Sequence, residues 1–157
     1  MKKIFLTGLA FFCVLITACK KDNQNVVNDL FIGAMKNGSN WVAKPEANYI
    51  SGKDSLQIRG FKAAGEESLY FNLKFRGKGA YPIKSGQSQY YTTIGLDVFT
   101  SHYKLDTTLT NKVTIRDFDI YTNIANGTFQ LNFIKTSGNG ADKLSFAGGK
   151  FYVYVPE

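Results

Sequence analysis

One histidine and its neighbours are the residues whose types could support nucleophilic catalysis. His102 is the only histidine of the chain; it follows Ser101, and Asp97 and Asp106 lie close to it in sequence. A Ser-His-Asp triad forms where three such residues meet in space. No Gly-x-Ser-x-Gly turn accompanies this serine, although nucleophile-elbow hydrolases require one. We therefore interpret His102 as an ordinary strand residue and predict no enzymatic activity.

Asp117 and Asp119 could act as paired carboxylates. They are two positions apart, so on a regular strand they share a face, and such a pair can perform acid–base work or bind Ca²⁺. Calcium requires about six to eight oxygen ligands, and no Asp-rich loop supplies them. A lone histidine also excludes a multi-histidine zinc cage. We interpret the pair as solvent-facing and predict no metal and no cofactor.

Tyrosines are the residues that best indicate a binding surface. Tyr70, Tyr152 and Tyr154 alternate with apolar residues on their strands, and Tyr90 and Tyr91 are adjacent. Exposed tyrosines in a row form a platform on which sugar rings or partner chains pack. Strands also favour tyrosine for its propensity and its cross-strand packing. A platform for a glycan or protein partner and a purely structural role are both compatible with this pattern.

The N-terminal residues have the organisation of an export signal. Met1-Lys2-Lys3 is positive, and residues 4–16 form a run of thirteen uncharged, mostly apolar residues. A membrane-spanning helix needs about 20 such residues, whereas the shorter run is typical of a secretory signal peptide. The sequence therefore predicts a signal peptide over residues 1–18.

The end of this run resembles the lipobox of bacterial lipoproteins. Leu15-Ile16-Thr17-Ala18-Cys19 places an aliphatic residue and two small ones before a cysteine. By this resemblance, cleavage follows Ala18, and Cys19 carries diacylglycerol and usually a further acyl chain. Two or more chains hold a protein stably on a bilayer. We expect a lipid-anchored protein of the cell envelope, at the outer membrane, on either its periplasmic or its surface face.

The remaining composition fits this location. Cys13 lies in the signal peptide and Cys19 would be taken by lipid, so the mature chain has no thiol for a disulfide. Without Lys2 and Lys3 the formal charge falls from +7 to +5. The other lysines are scattered rather than gathered as in a nucleic-acid-binding protein, so we expect no nucleic-acid partner. Residues 19–28 are polar and form a predicted flexible tether.

Residues 29–157 have the alternation of a single antiparallel β domain. Leu69, Phe71 and Leu73 alternate with polar residues, and the same period of two recurs around Phe129 and Phe151. Such alternation is typical of strands with one buried and one solvated face. We predict strands at residues 29–35, 40–44, 47–51, 55–62, 68–76, 80–84, 88–94, 96–104, 111–121, 127–136 and 143–155.

Turn and bulge signals connect these strands. Asn37-Gly38 predicts a tight hairpin, because both residues readily adopt positive φ. The apolar residues change from even- to odd-numbered positions at Gly148-Gly149 and from odd- to even-numbered positions at Arg116-Asp117. Each change predicts a β-bulge. Many short strands at this spacing favour an antiparallel β-sandwich, with a closed lipocalin-like β-barrel as the alternative.

Short motifs of glycine and aromatic residues recur along the domain. Asn37-Gly38 is followed by Trp41 and Ala43, and three later motifs are Gly79-Ala80-Tyr81, Gly127-Thr128-Phe129 and Gly149-Lys150-Phe151. They resemble the NG-x-x-W-x-A, Gly-x-Tyr, Gly-Thr-Phe and Gly-x-Phe motifs of small Bacteroidota lipoproteins of unknown function. The resemblance implies β-architecture and an envelope location, and it names no catalytic residue.

These observations favour a binding or structural module over an enzyme. The alternative is a lipocalin-like carrier of a small apolar ligand. The two differ in their interiors: in a sandwich Phe71, Phe129 and Phe151 should interdigitate, whereas in a carrier they should line a void.

We predict that Cys19→Ser abolishes lipid labelling. The serine hydroxyl cannot replace the thiol in the thioether bond to lipid, so the variant should also leave the membrane fraction. Growth with radioactive palmitate, followed by fractionation, measures both effects. Labelling of the variant at the level of the parent would show that Cys19 is not the anchor.

Overall fold

The computed structural model describes residues 30–64 and 66–156, so the predicted signal peptide and tether, residues 1–18 and 19–28, lie outside the described residues. The described chain forms ten strands and one 3₁₀ turn at Ser51–Lys53. The strands are β1 Phe31–Lys36, β2 Ser39–Ile50, β3 Ser55–Lys62, β4 Glu67–Lys74, β5 Gly79–Pro82, β6 Ser88–Ile94, β7 Val98–Leu105, β8 Lys112–Asp119, β9 Ile124–Gly138 and β10 Lys143–Tyr154. Within these ranges no helix is long and apolar enough to cross a membrane.

All ten strands belong to one antiparallel sheet. Neighbouring strands follow the order β10-β1-β2-β3-β4-β6-β7-β9-β8-β5, and β10 also pairs with β9. The sheet therefore returns on itself at β9. One edge of β9 pairs with β10 between residues 124 and 134, and the other edge pairs with β8 and then with β7. The predicted all-β antiparallel class is confirmed.

β2 differs from the expectation, because it is one strand where two were predicted. Pro45 and Glu46 lie inside β2, opposite Gly60 and Arg59 of β3. Proline has no N–H to donate and is tolerated where one edge of a strand is unpaired. The pairing of β2 with β1 ends at Ala43, so the chain continues through the proline without losing a ladder bond on that side.

The predicted hairpin and both predicted bulges are confirmed. Asn37-Gly38 has φ angles of 47° and 82° and joins β1 to β2. The register of β10 against β9 shifts between Phe146 and Gly149. The register of β8 against β9 shifts between Ile115 and Asp117. At both bulges the strand changes the face on which its apolar residues lie, as the switch of parity predicted.

Inward side chains from distant strands fill the interior. The ring centre of Phe71 on β4 lies 5.5 Å from that of Phe129 on β9 and 6.0 Å from that of Phe151 on β10. All three side chains are buried. Because β4 is far from β9 and β10 in the strand order, these contacts are the interdigitation expected of a sandwich.

Two glycines make room for these rings. The Gly127-x-Phe129 motif of β9 runs antiparallel to the Gly149-x-Phe151 motif of β10, and each glycine is the register partner of the other motif's phenylalanine. A methyl carbon added at Gly149 would lie 2.6 Å from the Phe129 ring, and one added at Gly127 would lie 2.5 Å from the Phe151 ring. Both distances are well below an ordinary carbon–carbon contact, so the two motifs depend on each other.

We predict that Gly149→Ala destabilises the domain by about 1–3 kcal/mol, as overpacking of a filled core does. The added carbon would clash with the Phe129 ring, so the loss of stability should be much smaller in a Phe129→Ala background. Urea unfolding of the parent, both single variants and the double variant measures this coupling. Gly52→Ala is the control, because nothing lies within 4 Å of its added carbon. Equal losses in the two backgrounds would contradict the contact.

Candidate functional site

Four hairpins surround one end of the interior, which we name the hairpin end. They connect β1 to β2, β3 to β4, β6 to β7 and β9 to β10. The Asn37 N–H donates to Ser145 O at 3.0 Å, and the Asn139 N–H donates to Thr100 O at 3.0 Å. The Glu66 carboxylate accepts two backbone N–H groups of the β6–β7 turn, at 3.0 and 2.8 Å. Hydrogen bonds therefore join neighbouring hairpins to one another.

A charged cluster lies inside the hairpin end. Glu67 is at an inward position of β4, two residues before Leu69, and 12 % of its side chain is exposed. Lys36 of β1 forms an ion pair with its carboxylate, and the Tyr90 hydroxyl donates to Glu67 Oε2 at 2.7 Å. Lys62 Nζ lies 3.5 Å from Glu67 Oε1. Two ammonium groups thus share one carboxylate, which leaves an excess positive charge around it.

This cluster shifts the ionisation of its members. Burial raises the pKa of Glu67, but the hydrogen bonds from Lys36 and Tyr90 and the nearby ammonium charges outweigh it, so the pKa lies below its ordinary value. Burial, followed by the hydrogen bond to Glu67 and its charge, raises the pKa of Tyr90. The cluster therefore holds a carboxylate, an ammonium group and a neutral phenol in contact.

A pocket of about 310 Å³ opens beside the cluster. Its wall includes the Lys36 side chain and the rings of Tyr90 and Tyr103, whose centres are 5.5 Å apart. Hydroxyl groups form another part of the wall, where Thr92 Oγ1 lies 2.6 Å from Ser101 Oγ. The remaining lining residues are Asn139, Gly140, Ala141 and Leu144. Both tyrosines are only 2 % exposed, so a polar molecule in this concave site would meet a small part of their rings together with hydroxyl groups and an ammonium group.

The structure corrects the prediction of an exposed platform at Tyr90. This side chain is only 2 % exposed. It points inward among Tyr103, Phe133 and Phe146, with ring centres 5.4 to 6.5 Å away. Adjacent residues of a strand face opposite sides, so only Tyr91 of this pair lies on the outer face. Tyr90 contributes to the pocket from the inside.

The other four tyrosines form two separate groups. Tyr70 and Tyr91 are half-buried on the outer face of the neighbouring strands β4 and β6, and the Tyr91 ring centre lies 5.2 Å from that of Phe99. Tyr152 and Tyr154 are on the outer face of β10, where Tyr154 is exposed. At least two strands separate β10 from β4 and β6 in either direction around the sheet. The five tyrosines therefore do not form one platform.

The residues considered for catalysis and for cation binding have other partners. Ser101 faces inward, where its hydroxyl contacts another hydroxyl, whereas His102 faces outward and its Nδ1 lies 2.9 Å from a threonine oxygen. Asp117 forms an ion pair of 2.5 Å with Lys78, which lowers the pKa of this carboxyl. Asp119 accepts a backbone N–H of the β8–β9 turn at 2.8 Å. These contacts hold the strands and their turn in place.

Comparison with known protein families gives one match. A family model described as a domain of unknown function, DUF6252, matches residues 28–156. The chain belongs to this family. The match includes every residue that the structure describes. No curated protein and no solved structure matches the chain.

Sequence reasoning did not identify the charged cluster of the DUF6252 domain. Glu67 has the same parity as Leu69 and Phe71, so the alternation places it on the inward face. A carboxylate at an inward position requires a partner, and this signal is present in the sequence. Its partners Lys36 and Tyr90 lie 31 and 23 residues away along the chain. Their proximity follows from the strand order, which cannot be deduced from any local sequence pattern.

We predict that Glu67→Gln weakens the DUF6252 domain mainly at neutral pH. The loss of hydrogen bonds to a charged group costs about 1.5–3 kcal/mol. Because the pKa of Glu67 is lower in the folded state than its ordinary value of 4.5, its carboxylate stabilises the fold above that value. This contribution is lost as the pH falls through the folded pKa. In urea melts, the difference between parent and variant should shrink from pH 7 to pH 3.

Glu46→Gln is the matched control. The Glu46 side chain is 55 % exposed and lies 3.7 Å from Arg59, and an exposed pair of this kind contributes about 0–1 kcal/mol. A loss for Glu67→Gln that does not change with pH, or an equally large loss for the control, would contradict the stabilising role of the cluster.

Proposed function

We propose that the protein is a lipid-anchored envelope lipoprotein whose β domain is a non-enzymatic glycan-binding module. The lipobox-like residues 15–19 support the anchor, because they would place a lipid on Cys19 and leave residues 19–28 as a tether. The family match begins at residue 28, at the end of this tether. The resemblance of the short motifs to those of Bacteroidota lipoproteins supports a location at the outer membrane.

The position of the pocket relative to the start of the domain supports this proposal. β1 begins at Phe31 and ends at Lys36, inside the hairpin end. The described chain therefore begins on the side of the opposite end, and Cys19 precedes it by a short stretch of sequence. A pocket at the hairpin end would face away from the anchoring bilayer, where a ligand has free access.

The chemistry of the pocket is the observation that carries the proposal. Sugars have apolar ring faces that pack on aromatic side chains, and hydroxyl groups that need donors and acceptors. Tyr90 and Tyr103 form the base of the pocket, where each is only 2 % exposed, and the hydroxyl-lined wall supplies the polar partners. A volume of about 310 Å³ suits a small ligand. The excess ammonium charge around Glu67 favours a sugar that carries a carboxylate.

A protein partner is the second candidate, because the hairpin end also carries an exposed apolar tip. Four residues of this tip are 58 to 68 % exposed, namely Ile94, Leu96, Val98 and Phe99. Leu96 has a φ of 68°, which is strained for a bulky side chain. The Glu66 carboxylate holds the Leu96 N–H at 2.8 Å. Strain that is maintained by a specific contact is typical of functional sites.

The carrier of an apolar ligand has less support. A carrier needs an empty apolar interior. In this domain the rings of Phe71, Phe129 and Phe151 are in contact at the centre. Binding at one end of a filled interior is therefore favoured over enclosure within it.

We predict that Ala141→Trp weakens glycan binding without unfolding the domain. Ala141 is exposed at the rim of the pocket, and an indole there would occupy the space that a sugar ring needs. The purified full-length chain in detergent is applied to an array of neutral and acidic oligosaccharides, on which acidic sugars should bind the parent best. Binding should weaken at least about tenfold in the variant, which corresponds to about 1.4 kcal/mol.

Two further variants serve as a control and as a test of the second candidate. Ala147→Trp is the control, because Ala147 is exposed on β10 and does not line the pocket. Val98→Asp alters the apolar tip, so loss of a protein partner with unchanged glycan binding would support the second candidate. Failure of the parent to bind any glycan, or equal binding by the parent and Ala141→Trp, would contradict the glycan proposal.

A further inference from the structure

The end of the interior opposite the hairpin end is apolar, and we name it the cleft end. A cleft of about 200 Å³ opens there, lined mainly by Tyr49, Leu56, Phe75, Phe118 and Val155. The Phe75 ring centre lies 5.2 Å from that of Phe118 and 6.1 Å from that of Tyr49. The Phe75 N–H donates to Asp54 O at 2.7 Å. The C-terminal ends of β2 and β8 and the segment after β4 therefore meet at this end.

The turn between β8 and β9 presents two large side chains to solvent at the cleft end. Ile120 is 67 % exposed and Tyr121 is 92 % exposed. The Asp119 carboxylate accepts the Tyr121 N–H at 2.8 Å and the Thr122 N–H at 3.4 Å. These bonds fix the turn, so the two side chains are held outward by its backbone rather than by contacts of their own.

Apolar and aromatic side chains continue from this turn onto the outer face of three strands. Ile124 of β9 follows the turn and is opposite Tyr154 of β10. Tyr152 of β10 is opposite Phe31 of β1. Tyr154 and Phe31 are exposed, whereas Ile124 and Tyr152 are half-buried. We name this surface the aromatic face and define it as Phe31, Ile120, Tyr121, Ile124, Tyr152 and Tyr154.

The charges at the cleft end do not oppose contact with an anionic surface. Among the described residues of its loops and strand ends, the cations are Lys53, Lys74, Arg76 and Lys78, and the acids are Asp54, Asp117 and Asp119. Asp117 is paired with Lys78, and Asp119 binds the backbone of its own turn. These described charges are nearly balanced, so they do not themselves repel phosphate headgroups.

We propose that the aromatic face rests on the bilayer surface that holds the lipid of Cys19. This inference rests on the proposed lipid anchor. Tyrosine is enriched at membrane–water interfaces, where the ring lies among the headgroups and the hydroxyl remains hydrated. Ile120 adds apolar surface at the tip of its turn, which can enter the boundary between headgroups and acyl chains. Tyr152 and Tyr154 then contact lipid rather than a glycan.

The position of the first strand favours the bilayer as the partner of the aromatic face. β1 runs from Phe31 to the hairpin end, so the domain begins on the side of the aromatic face, and the predicted tether of residues 19–28 precedes it in sequence. Ten residues extend at most about 33–36 Å, so the lipid keeps the domain close to the membrane. At such a high effective concentration even a weak contact persists. The exposed β6–β7 tip lies at the far end and faces away from the same bilayer.

Fluorescent probes at the two ends test this inference in the mature, lipidated chain. Tyr121→Cys and Ile94→Cys each introduce one free thiol, because Cys13 leaves with the signal peptide and Cys19 carries lipid. Each variant is labelled with an environment-sensitive dye and reconstituted into vesicles of phosphatidylethanolamine and phosphatidylglycerol. The probe at position 121 should emit at shorter wavelength. Iodide should quench it about threefold less than the probe at position 94, because headgroups shield an interfacial residue.

The outcomes separate this inference from the proposed function. Failure of the chain to float with the vesicles would overturn the lipid anchor, and this inference with it. Flotation with equal iodide quenching of the two probes would leave the anchor intact and overturn the role of the aromatic face. Adding Ile120→Asp to the labelled Tyr121→Cys variant should restore iodide quenching while flotation is unchanged. Shielding that survives this substitution would likewise count against membrane contact.

Discussion

Three of the large rings in the interior each require a position on a neighbouring strand that has no side chain. Gly127 and Gly149 provide this space for Phe151 and Phe129. Gly60 of β3 does the same elsewhere in the sheet, because an added carbon there would lie 2.7 Å from the Trp41 ring. The sheet can return on itself around a filled interior because ring and glycine face each other across neighbouring strands. The glycines of the Gly-Thr-Phe and Gly-x-Phe motifs thus have a steric explanation that needs no ligand.

The two ends of this filled interior have opposite chemistry. At the hairpin end the first inward position of β4 is a carboxylate, which is paired with Lys62 of the neighbouring strand β3 and with Lys36 of β1. At the cleft end the corresponding positions are aromatic or aliphatic. An ion pair at the edge of a core keeps access to water, so its desolvation costs less than it would at the centre. The apolar centre remains free of charge, and the polar groups collect where a ligand can reach them.

The sequence predicts the faces of the strands better than it predicts their neighbours. A period of two marks burial directly, so the inward residues of β4, β9 and β10 and both bulges could be identified. The break predicted at Pro45 was wrong, because tolerance of a proline depends on whether the adjacent strand continues. Tyr90 was misplaced because two adjacent tyrosines do not indicate which of them is inward. The pocket could not be predicted, since Lys36, Glu67 and Tyr90 meet only through the strand order.

The first and last strands are partners, although they lie near opposite ends of the described chain. Phe31 of β1 is opposite Tyr152 of β10, so one edge of β1 stays open until β10 arrives. Pairings between such distant segments form slowly, because a long loop must close before any contact is gained. In a chain exported from its N-terminus, as proposed for this one, the strand that completes the sheet crosses after the other nine. The polypeptide would then remain unfolded, and able to thread through a narrow channel, for as long as its translocation lasts.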